Sequence, residues 1–151
     1  MTIKDRIEAI AAELGLRFNY GTSYDFNING DYALFPCIVL LEPDDLGFIY
    51  DNVAGTISKK STLFIQFLDL LPEGTDIAEQ ADARLPVIEA MAQLAAEFLN
   101  SVINDSNLNF NTNGQKTQVN AIVLRDKYDA HAQGVELQLP LSLVYPEVIC
   151  H

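Results

Sequence analysis

Between positions 76 and 104, apolar residues return at steps of four and three: Ile77, Ala81, Leu85, Ile88, Ala92, Ala95, Leu99 and Val102. That spacing draws one continuous stripe down an amphipathic helix. Val87, Met91, Leu94, Phe98 and Ile103 widen the stripe to nearly half the circumference, so the helix has to be covered. Ile88, Ala92, Ala95, Leu99 and Val102 are expected to face a sheet. At ~1.5 Å per residue the helix would run ~42 Å, enough to cross a compact domain of this length, about 38 Å wide. Asp76 followed by Glu79 predicts a capping box, with Pro72-Glu73-Gly74-Thr75 as the incoming loop. Pro86 deletes the bond to the Asp82 carbonyl at a cost of ~3 kcal/mol. Residues 77–85 are then a kinked first segment or a separate short helix, and burial of the stripe favours the kink.

The rest of the chain alternates at shorter periods. Thr2 and Asp5 cap a first helix with Ile3, Ile7, Ile10, Ala11 and Leu14 on one side; Gly15 is placed to end it, and Leu16 to pack back against it. Residues 16–20 and 24–28 read as strands, and Asn29-Gly30 as a tight turn. Residues 34–41, LFPCIVLL, form an unbroken apolar run typical of a strand covered on both faces, with Pro36 keeping its first half near an edge. Residues 48–58 and 61–70 flank Lys59-Lys60, which predicts a long hairpin with a lysine tip and a bulge at Gly55. After the long helix, Asn107, Asn109, Asn111 and Asn113 alternate with Leu108, Phe110 and Thr112, and Asn113-Gly114 turns the chain into a return strand over 116–125. Residues 126–134 read as a polar loop. Residues 135–144 close the sheet, with Val135, Leu137, Leu139, Leu141 and Leu143 on one face and Pro140 marking an edge or a bulge. The expected fold class is α+β: a mixed or antiparallel sheet with a long hairpin, packed against one long kinked helix and a short N-terminal helix.

Composition narrows the class further. The 151 residues suit a single domain, 1–151, and 49% hydrophobic against 20% charged residues excludes a disordered chain. No segment approaches the ~20 uninterrupted apolar residues of a membrane span. The N-terminus lacks the apolar core of a signal peptide, which predicts synthesis in the cytoplasm. Nine basic residues against twenty-one acidic ones, a net charge of −12, provide no footprint for a phosphate backbone, so no sequence-specific nucleic-acid binding is expected. Cys37 lies in the apolar run and Cys150 near the end, giving no CxxC pair and no disulfide framework.

Candidate chemistry is sparse. Asp126, Asp129 and His131 gather in DKYDAH, but a metal site needs at least three protein ligands, and the only other imidazole is His151. The solvated-loop reading prevails. Asp105, Asn107 and Asn109 begin like a calcium loop, which Phe110 breaks where Gly is required and Lys116 where a bidentate Glu is required. No Ser or Cys lies in a GxSxG elbow, no glycine-rich phosphate loop exists, and Asn104-Asp105-Ser106 matches a glycosylation sequon without a secretory signal. Neither an enzyme nor a cofactor is expected.

The order of elements resembles the tail-terminator and tail-completion (neck) proteins of tailed bacteriophages. It is carried by TIKDRIEAIAAELG, FPCIVLL, STLFIQFLDLL, IEAMAQLAAEFLNSVI and GVELQLPLSLVY, which span nearly the whole chain. The resemblance implies a ring-forming virion protein at the head–tail junction or tail end, made in the host cytoplasm, with copies of itself and other neck or tail proteins as partners. A generic cytoplasmic interaction domain is the alternative, and a small enzyme or ligand binder the third reading. In the hairpin, Leu63, Ile65 and Phe67 oppose Thr62, Phe64, Gln66 and Leu68, so both faces carry apolar groups and one core covers only one of them. Thr62, Phe64, Gln66 and Leu68, with Lys59 and Lys60 at the tip, are therefore the candidate subunit interface. The Pro140 strand or the asparagine face offers a second surface.

Overall fold

A computed structural model describes residues 2–21, 34–43, 46–105, 108–110, 118–128 and 131–149. In chain order these form α1 (Ile3–Glu13), β1 (Arg17–Gly21), β2 (Cys37–Leu41), β3 (Gly47–Asp51), β4 (Thr56–Asp69), α2 (Gln80–Ile103), β5 (Asn109–Phe110), β6 (Asn120–Lys127) and β7 (Ala132–Ile149). The expected strand at 24–28, the Asn29-Gly30 turn and the Asn113-Gly114 turn lie outside the described residues.

Both ends of α1 follow their sequence signals. Thr2 Oγ1 accepts from the Asp5 amide at 3.1 Å, and the Asp5 carboxylate accepts from the Thr2 amide at 2.8 Å, a reciprocal capping box. Those hydrogen bonds hold the Asp5 carboxyl below its usual range. At the other end, Leu16 N donates to Ala11 O and Gly15 N to Ala12 O, with Gly15 at φ +70°. This is the paired-bond stop that a left-handed residue permits. Ile3, Ile7, Ile10 and Ala11 are buried.

The long helix departs from expectation at its start and on its face. Asp76 makes no side-chain cap; Ile77–Glu79 form a 3-10 turn instead, and one helix then runs from Gln80 through Pro86 to Ile103. Its buried residues are Met91, Ala95, Phe98 and Val102. Ile88, Leu94 and Leu99 are partly buried against the same core, but Ala92 is exposed. Two apolar faces overlap on this helix, offset by one residue. The one carrying Met91 and Phe98 buries more carbon than the one carrying Ala92, and it wins. Upstream, Leu85 is 61% and Ile77 87% exposed, so the amino-terminal half of the predicted stripe is not core.

The described strands make one mixed sheet around two long antiparallel neighbours, β4 and β7, in register from Ser58↔Val144 to Asp69↔Gln133. On the outer flank of β4, β2 pairs with its second half and β3 with its first. On the outer flank of β7, β6 pairs with the first half and β5 with a short stretch beyond. β1 adds to β2 in parallel. β7 is therefore an interior strand, not an edge. Pro140 sits opposite Thr62, in the gap between the β6 ladder, which ends at Gln138, and the β5 ladder, which starts at Leu141. A residue without an amide donor is tolerated there, where no outer ladder runs among the described residues.

Both helices cover one face of the sheet. Ile38, Leu40, Leu63, Ile65, Phe67, Val135, Leu137 and Leu139 pack there with the buried side of α1 and α2. Phe67 and Phe98 meet edge to face, their ring centroids 5.3 Å apart. The opposite face has its own small core: Cys37, Val39, Leu68, Leu70, Leu124 and Ala132, with Phe35, Leu41 and Tyr128 packed against it. β2 alternates between the two clusters, which explains its unbroken apolar run; it lies inside the sheet, between β1 and β4.

Candidate interaction surface

The hairpin folds at a different place from the one its polar pair suggested. β3 ends at Asp51 and β4 begins at Thr56, so the turn is Asn52-Val53-Ala54-Gly55. Asp51 organises it: its carbonyl accepts from Gly55 N at 2.8 Å, and its carboxylate accepts from the amides of Val53 and Ala54 at 3.0 and 3.1 Å. Gly55 closes the turn at φ +67°, a conformation costly for any residue with a Cβ. The irregularity in pairing falls just after it, between Thr56 and Ser58. Lys59 and Lys60 stand in the body of β4, opposite Phe48 and Gly47. Two lysines read as a turn because both are polar, but no φ-permissive residue accompanies them.

All five residues of β3 are exposed. Phe48 is 65% and Tyr50 60% exposed on one face of the strand, Ile49 is exposed on the other, and Val53 at the turn is 94% exposed. Among the described residues β3 pairs only with β4, so its outer edge is open. The hairpin thus presents three large apolar side chains, an unpaired edge and a rigid turn. The sequence placed the interface on the other arm, at Thr62, Phe64, Gln66 and Leu68. The signal that would have found it is Asp51 with Asn52 and Gly55, residues that make turns for known reasons.

The six residues expected to form the interface do not share one open surface. Gln66 and Leu68 are buried within their own chain, Thr62 and Phe64 are half-buried, and Lys59 and Lys60 stand earlier in β4, in register with Phe48 and Gly47. The premise that one core covers only one face fails here because the second cluster closes over that end of β4. Gln66 is held by a polar chain: its Nε2 donates to Glu136 Oε2 at 2.8 Å, and its Oε1 accepts from the Tyr128 hydroxyl at 2.6 Å. Burial, with Glu136 nearby, pushes the Tyr128 phenol up to about 12.

The expected polar loop is shorter than predicted, with β6 reaching Lys127 and β7 starting at Ala132. Within DKYDAH, Asp126 Oδ1 accepts from Gln133 Nε2 at 2.8 Å and Oδ2 lies 3.6 Å from the Arg84 guanidinium. His131 is exposed and its carbonyl also accepts from Gln133; Asp129 lies outside the described residues. Asp126 thus ties α2 to the sheet, and the Gln133 amide joins it to the His131 carbonyl. Asp105, the first residue of the calcium-like run, is bound by the Arg6 guanidinium, which clamps α1 to the end of α2. Asn109 lies in β5 opposite Ser142, and Asn107 outside the described residues. Burial, with Asp69 beside it, pushes the Cys37 thiol up to about 12, so it stays protonated and unreactive at neutral pH. Among the described residues no three His, Cys, Asp or Glu side chains are grouped to hold a metal, and no helix is long and apolar enough to cross a membrane. No protein-family model matches the chain, and no curated protein matches it.

Proposed function

We propose that this chain is a structural virion protein of a tailed bacteriophage, forming a homo-oligomeric ring at the head–tail junction or tail end, with the β3–β4 hairpin in the subunit contact. The observation that carries the reading is the hairpin: Phe48, Ile49, Tyr50 and Val53 are exposed on a strand and turn whose outer edge is open among the described residues. Exposed apolar groups gathered on one element mark a partner surface, and an unpaired edge strand left bare invites association. The order of elements supports the phage context, and so does the net charge of −12. A ring through which DNA passes works better when it does not grip the phosphates. The role requires no catalysis and no cofactor.

Phe48→Asp combined with Tyr50→Asp tests the reading. Both side chains are exposed, so folding stability should change by less than about 0.5 kcal/mol. When the variant replaces the native protein during phage growth, particles should lack it and tails should fail to join or terminate. Incorporation of the folded variant at native levels would sink the proposal.

A further inference from the structure

We draw no further inference here: the strongest candidate, the surface patch at Ile122 and Val123 of β6, is apolar and exposed, but nothing in the structure shows what covers it.

Discussion

Phe98 and Ala92 are six residues apart on one helix and have opposite fates. Phe98 is fully buried against Phe67, and Phe98→Ala should cost ~3–5 kcal/mol through lost area and the cavity left behind. Ala92→Gln, on the exposed side, should change stability by less than about 0.5 kcal/mol, and Leu99→Ala, half-buried, should fall near the low end, ~2 kcal/mol. Urea unfolding of the three variants checks the order; a large loss at Ala92 would restore the face the periodicity suggested. Tyr128 carries a pH prediction. Its phenol is raised from 10.0 to about 12 in the fold, so the unfolded chain ionises first. Its contribution is intact below pH 10 and is lost as pH rises towards 12. Tyr128→Phe should remove that part of the alkaline decline, and at neutral pH should cost ~1–3 kcal/mol because Gln66 Oε1 loses a donor while buried. An unchanged alkaline slope in the variant would place the decline elsewhere.

At the scale of elements, periodicity was a good guide to what forms and a weaker one to what covers it. α1, with its cap and stop, could be read directly because each signal is local: Thr2 reaches three residues to Asp5, and Gly15 needs only its own φ. The run 34–41 and the α+β order were readable for the same reason. The hairpin tip was not, because Lys59-Lys60 resembles a turn in polarity alone, whereas the real turn depends on Asp51 folding back on its own amides. The burial of Gln66 and Leu68 was not readable either. It depends on Tyr128, Leu124 and Glu136, which arrive from the far side of the chain. One glycine shows how tightly β4 and β7 are joined: a Cβ at Gly134 would stand 1.8 Å from the Phe67 carbonyl oxygen. Gly134→Ala must push two central strands apart, and the melting temperature should fall by about 4–8 °C or more, as expected for a loss of ~2 kcal/mol or more in a domain of this size. A shift under about 2 °C would mean that the strands are not held at this register.

For the whole molecule, the distribution of apolar surface matters more than its amount. Two clusters, one on each side of the sheet, cover the middle of β4 and β7, while large apolar side chains stay exposed on β3 and its turn, at the start of α2, and at Ile122 and Val123 of β6. The candidate site was thus half-readable: the segment could be named from sequence, but the interface was expected on the second arm, at Thr62, Phe64, Gln66 and Leu68, whereas the exposed apolar groups lie on β3. The net charge of −12 predicts that assembly is assisted by salt at long range, where like-charged copies repel. The most direct measurement is a reconstruction of the phage particle at a resolution that traces chains. The account predicts a closed ring of this chain at the neck or tail end, each β3–β4 hairpin packed on a neighbouring subunit. It would be contradicted by particles in which the chain is absent from neck and tail, or by a ring in which Phe48, Tyr50 and Val53 touch no neighbour.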